Sequence, residues 1–308
     1  MRILAGLPVL VLLGGCASTP ELTPWQADAL LPSLPADCAD SAAPASQTAL
    51  SGGVPGGLAV VHSEGRDVIL VAARSCVWTV DAQTGAAAPL PTHGDSIAPT
   101  MIDAGRAGLA FSSSLSGSVR TIDAAGAVVL NVSGLRQPLG TRLLPGGIVL
   151  VAEHGTGRIL RLGPSEESRP RLVADGLDGP TGLVVVDATH GYVTEAGSGR
   201  VTLVNLGHPE QRAIATGLEQ PEGIAVLSDG RLAVAEVGAR RLVAVDPRTG
   251  AVEVLADHLP IGPATPQDNA DLHAVTDVAA TPAGLIVISA AGDRTILKLR
   301  RRAPPREE

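Results

Sequence analysis

Aromatic residues are nearly missing from this chain. Trp25, Trp78, Phe111 and Tyr192 are the whole set in 308 residues. Sugar platforms, methyl-ammonium cages and single-strand nucleic-acid grooves rely on clustered rings, so four dispersed ones argue against all three. Lysine is rarer still, because Lys298 is the only one. A Walker-type phosphate loop or a Schiff-base lysine on the body of the fold is thereby excluded. Basic charge is short as well. The formal net charge is −8, and the one basic run is Lys298, Arg300, Arg301 and Arg302, which leads into a polar tail at residues 301–308. No nucleic-acid partner is expected, since phosphate tracking needs a basic face. His-Glu-x-x-His, Cys-x-x-Cys and Gly-x-Ser-x-Gly are also missing, so nothing supports a zinc peptidase, a haem site or a serine hydrolase.

Cysteine is scarce but placed informatively. An apolar stretch from Ile3 to Leu13 follows Met1-Arg2 and ends at Gly14-Gly15-Cys16. It is too short to span a bilayer, which needs about 20 apolar residues, and reads as a secretory signal over residues 1–15. Leu13-Gly14-Gly15-Cys16 resembles the lipobox of bacterial lipoproteins. That resemblance implies cleavage before Cys16, acylation of its thiol and a membrane partner through the lipid. With Ala17 next, it implies the cell envelope: the outer membrane on its periplasmic side, or the cell surface. Cys38 and Cys76 allow one intramolecular disulfide, which an exported compartment permits; two buried free thiols are the alternative. Residues 16–46, rich in Pro and Ala, read as an extended tether, with Trp25 and Leu30-Leu31 as candidates for local docking.

What the chain has in quantity is glycine, proline and a repeat. Gly134-Leu135-Arg136-Gln137-Pro138, Gly176-Leu177-Asp178-Gly179-Pro180 and Gly217-Leu218-Glu219-Gln220-Pro221 place their prolines 42 and 41 residues apart. Each leads into a β-branched run. A second mark keeps step: Glu153 through Arg158, Glu195 through Arg200, and Glu236 through Arg241, each around a glycine-bearing bend. This is hairpin chemistry, and the Glu and Arg are expected to brace the turn within each unit. His154 inside one such turn reads as a surface residue. Weaker copies open at Pro55 and Pro99, and a sixth lies around Thr276–Ile288.

Units of about 40 residues with four short strands suit propeller blades. The expected fold is therefore all-β: a six-bladed β-propeller of four-stranded blades over residues 47–300, closed by an N-terminal strand that completes the last blade. Residues 47–51 are expected to be that strand, because Gln47-Thr48-Ala49-Leu50-Ser51 precedes Pro55 much as Arg212–Thr216 precedes Pro221. On this reading residues 17–35 are dispensable for stability.

The unit Pro-x-Gly, a β-branched run, Asp229-Gly230-Arg231-Leu232-Ala233-Val234-Ala235-Glu236 and Arg241-Leu242-Val243-Ala244-Val245-Asp246 resembles NHL repeats. It is similar also to the wider six-bladed superfamily of SMP-30/gluconolactonase and strictosidine-synthase-like proteins; WD40 is the rival, without its Gly-His and Trp-Asp marks. The gluconolactonase branch implies Ca²⁺ or another divalent cation at one channel mouth, held by Glu, two Asn and Asp. The matching middle residues are read as Gly56, Thr100, Leu139, Thr181, Glu222 and Asp277. Only Glu222 and Asp277 carry carboxylates, both Asn positions are lost, and calcium wants six to eight oxygens.

The connection at residues 258–275 is long and holds Asp268, Asn269, Asp271 and His273. It is expected to reach the same mouth, so Glu222, Asp277 and His273 are the candidate acid–base or cation-binding set. A polar, water-filled mouth is the plainer reading. Two functions stand side by side: an envelope module, expected as a monomer, that binds a protein or small-molecule ligand on a propeller face, and a divalent-metal-dependent hydrolase or lactonase at the mouth. The sequence leaves open whether the chain is an enzyme.

Overall fold

The computed structural model describes residues 25–31, 55–63, 65–73, 76–90, 98–164, 170–262, 275–290 and 294–301. Cys16, Cys38, His273 and residues 47–51 lie outside these, and with them the acylation site, the proposed disulfide and one candidate acid–base residue. Six antiparallel four-stranded sheets follow one another around a ring. Blades 1 to 5 comprise residues 55–90, 101–132, 138–174, 180–215 and 221–256. Blade 6 combines Val278–Ala280, Ile286–Ala290 and Thr295–Arg301 with a strand from the other end of the chain.

That strand is Trp25–Leu31, paired antiparallel with Thr295–Arg301 so that Trp25 faces Arg301 and Leu31 faces Ile296. The ring is closed by an N-terminal strand, as expected. The segment is different: Trp25–Leu31 comes from the stretch read as tether, and it takes the place assigned to residues 47–51. Its two faces serve two interfaces. Trp25 joins the core between blades 5 and 6, and Leu30 joins the core between blades 6 and 1. Each remaining pair of neighbours has its own apolar cluster, so the hydrophobic core is six radial layers. Burial of this kind contributes roughly 25 cal/mol per Å², which is why a blade is stable only between its neighbours.

The inner strands all begin at one end of the channel, here called the upper mouth. The loops that deliver them are built alike. Gly134, Gly176 and Gly217 take positive φ (82, 75 and 79°), a left-handed conformation that favours glycine. The leucine after each is buried and donates its N–H to the carbonyl of Gly117, Gly157 or Gly199, at 2.9, 3.0 and 3.0 Å. A further copy was hidden in the sequence. His258, at φ 56°, stands where the others have glycine, and the Leu259 N–H meets the Arg240 carbonyl at 2.8 Å.

The repeated glutamates lock these loops. The carboxylates of Glu153, Glu195 and Glu236 accept the N–H of Arg136, Asp178 and Glu219, each at 2.8 Å, from the loop entering the glutamate's own blade. Arg200 pairs with Glu195 at 2.8 Å, and Arg241 with Glu236 at 2.6 and 2.9 Å. The first copy departs from the expected brace: Arg158 turns to Asp175 at 3.5 Å, and Glu153 is met by the Thr156 hydroxyl instead. Burial pushes the Glu195 carboxyl up, but the Arg200, Asp178 and Thr202 donors outweigh it and hold the group below its usual range. Glu236→Gln keeps an acceptor for Glu219 N–H and loses the ion pair with a part-exposed arginine. We expect a loss of about 1–2 kcal/mol in urea unfolding, against no measurable change for Glu219→Gln.

Candidate functional site

The upper mouth is where the candidate residues were expected, and the ladder register decides which of them share a ring. In blade 5 Ile224 lies opposite Val234; in blade 6 Val278 lies opposite Ile288. Two residues on, Glu236 and Ala290 occupy equivalent places facing Arg241 and Thr295. Val278 therefore matches Ile224, Thr276 matches Glu222, and Asp277 matches Gly223. The middle-position ring is Gly56, Thr100, Leu139, Thr181, Glu222 and Thr276. Asp277 was placed in it one residue out of register, because no proline precedes it to mark the start.

The shift changes what Asp277 does. Strand side chains alternate, so the glycine position points at the next blade instead of into the ring. There Gly223 lets backbones approach closely: a Cβ on it would come within 2.5 Å of the Asp277 Cα. Asp277 turns to blade 1, where one carboxylate oxygen accepts Leu58 N–H at 2.9 Å; the other accepts Val278 N–H at 2.9 Å. It is a cross-blade link at the seam where the ring closes. Glu222 makes the preceding link, accepting Thr276 N–H at 2.6 Å from blade 6. Ser112 and Thr194 serve the same purpose with their hydroxyls, donating to the carbonyls of Leu139 and Glu222 in the following blades.

Both acids are nearly sealed from water, at 8% exposure for Glu222 and 1% for Asp277. Burial drives the Glu222 carboxyl up to about 8 against the Thr276 hydrogen bond, with the Asp277 charge adding to the rise. Burial lifts Asp277 to about 6; Arg142 opposes this, as do the two backbone donors, and Asp103 adds to it. Arg142 and Asp103 are channel residues that the sequence reading passed over. Asp103 accepts Leu143 N–H at 2.7 Å, and Arg142 donates to its neighbouring Thr141 carbonyl at 2.7 Å. Asp103 keeps some contact with solvent, yet enough protein surrounds it that burial raises its carboxyl. The signal for both was a charge within a short, otherwise apolar inner strand.

The middle of the mouth is apolar. Met101, Leu139 and Val275, from blades 2, 3 and 6, form one buried cluster across it. Thr100 bonds to Ser114 at 2.9 Å, and Thr181 donates to the Gly179 carbonyl at 3.1 Å. These residues do not fit a divalent cation. Both Asp277 oxygens and one Glu222 oxygen already hold backbone donors, and Leu139 occupies one ring position, which leaves far fewer than the six to eight oxygens calcium takes. Among the described residues no three His, Cys, Asp or Glu converge.

His154 corrects a smaller expectation. It is half-buried between the loops of blades 3 and 4 instead of lying on the surface; burial depresses its pKa, and its Nδ1 has no hydrogen-bond partner among the described residues.

No family model matches the sequence, and no curated protein does so either. Solved structures do resemble the fold. A gluconolactonase from Xanthomonas campestris superposes with a TM-score of 0.63 at 15% identity, over 90% of each chain. A streptogramin B lyase gives 0.58 at 11%, over 90% of this chain and 98% of that one. The PQQ-bound aldose sugar dehydrogenase from Streptomyces coelicolor gives 0.58 at 16%, over 90% and 98%. Such different activities at such low identity share an architecture, and that is what the likeness establishes here: a six-bladed β-propeller of the kind found among gluconolactonases and lyases.

Proposed function

We propose that this chain is an envelope lipoprotein, held by a lipid on Cys16, whose propeller binds a protein or small-molecule ligand and does not work as a metal-dependent hydrolase. The observation that carries the second half is the filled mouth. Where the gluconolactonase resemblance implies a cation, Met101, Leu139 and Val275 pack together and the two acids bind blade to blade. A substrate would have to displace a buried apolar cluster before reaching either carboxylate. The hydrolase reading has the fold likeness in its favour, but a fold hosts many activities and decides none.

Titration calorimetry with Ca²⁺ tests the choice. We expect no saturable heat up to millimolar Ca²⁺, for wild type and for a Glu222→Gln/Asp277→Asn double variant alike. Micromolar binding by wild type that the double variant loses would restore the metal-dependent hydrolase. The address has its own test. Wild type should fractionate with membranes and carry an acyl mass increment, and Cys16→Ser should lose both. A Cys16→Ser chain that still fractionates with membranes would remove the anchor.

A further inference from the structure

The closing strand settles more than the ring, provided that Cys16 is acylated as proposed above. Its polarity is fixed by its partner. Thr295 sits opposite Ala290 at the upper end, and Arg301 is at the lower end of the same strand. Trp25 faces Arg301, so the chain enters the propeller at the lower edge of blade 6. From Cys16 to Trp25 is nine residues. At about 3.3–3.6 Å per residue, full extension reaches only ~30 Å. The blade itself takes up most of that length: a seven-residue strand such as Trp25–Leu31 rises about 23 Å at roughly 3.3 Å per residue, which leaves only ~7 Å for the turns at either end. A tether this short cannot climb the outside of blade 6 and leave the upper mouth lying on the bilayer.

We infer that the lower rim at blades 5 and 6 rests on the surface of the anchoring membrane, with the upper mouth turned away from it. The rim has a matching surface at the point of entry. A groove of about 560 Å³ lies between the lower turns of the two blades: buried Trp25 and Leu299 form its floor, and the part-exposed Leu227 and Leu285 line it together with Arg231 and Arg300. Part-exposed leucines beside arginines suit the headgroup boundary of a bilayer, where apolar surface meets phosphate. The arginines are partly neutralised, Arg231 by Asp229 at 2.8 Å and by Glu253, and Arg300 by Asp28 at 3.7 Å. The contact therefore does not depend on anionic lipid, and zwitterionic phosphatidylcholine is a sufficient surface.

The test uses the acylated full chain in phosphatidylcholine vesicles that carry a nitroxide on the headgroup. A fluorescent unnatural amino acid is placed at Ala283 on the lower rim or at Arg136 on the upper face; both positions are exposed. Quenching at position 283 should exceed that at 136 by at least threefold, and the Cys16→Ser chain should show none at either. Equal quenching, or more at 136, in a chain whose mass carries the acyl group would overturn the orientation and leave the anchor standing. A chain without the acyl mass would overturn both.

Discussion

Deleting residues 17–31 should abolish cooperative folding of the propeller, or lower its melting temperature by at least 10 °C, while deleting 17–22 should shift it by no more than about 2 °C. Both are measured in the unacylated Cys16→Ser chain. The first deletion removes a whole ladder from blade 6 and two anchors from different interfaces, Trp25 and Leu30. Truncating a buried Trp or Leu to Ala costs about 3–5 and 2–5 kcal/mol. The two together reach the ~5–15 kcal/mol that holds a typical domain folded. At roughly 2–4 °C per kcal/mol for a domain of this size, the shift is large even if the ring survives. The deletion also bares the Thr295–Arg301 edge, which invites aggregation. Single variants grade the effect: Trp25→Ala and Leu30→Ala should each cost about 3 kcal/mol. A 17–31 deletion that melts like the full chain would mean that the strand is dispensable and another segment closes the ring.

That strand also marks where the sequence stops being readable. Trp-Gln-Ala-Asp-Ala-Leu-Leu has no β-branched residue and sits between Pro24 and Pro32. Taken alone it has weak strand propensity, and only the open edge at Thr295–Arg301 and two apolar recesses make it one. Gln47–Ser51 looked better because it aligned with the outer strands of the repeat, but alignment along the chain carries no information about which edge stands open. The repeating parts were legible for the opposite reason. Gly-Leu-x-x-Pro and the Glu five residues before each third strand are fixed by local demands, a positive φ and a buried N–H to satisfy, and those demands recur blade after blade. Once a copy lost its marker, the reading slipped. Asp277 without a preceding proline moved by one residue, which for a strand means the opposite face. Asp103 and Arg142 occur once each, and nothing in a repeat points to a residue that does not repeat.

The stability of the propeller should fall as pH rises from about 4.5 to 8, and Glu222→Gln should remove most of the fall. The sign follows from where the proton sits. The Glu222 carboxyl titrates at about 8 when folded and near 4.5 when the chain is unfolded. Between those values the unfolded chain has released a proton that the folded one keeps, so each step up in pH favours unfolding until the folded group ionises too. Asp277, lifted to about 6 from 3.8, acts in the same sense over a lower and narrower window. Glu195 runs the other way. Held below its usual range, its contribution is present above the unfolded value and is lost as pH falls through the folded one. Stability should therefore peak in the weakly acidic range. A rigid site would make the Glu222 cost about 5 kcal/mol, since each pKa unit is about 1.4; with relaxation around the ionised group we expect about 3 kcal/mol. Glutamine can accept the Thr276 N–H through its carbonyl oxygen and never ionises. In urea unfolding, Glu222→Gln should match wild type at pH 5 and exceed it by about 3 kcal/mol at pH 8.5. A difference that does not change between those two pH values would place the acid in water, and with it would fall the picture of a mouth sealed by Met101, Leu139 and Val275.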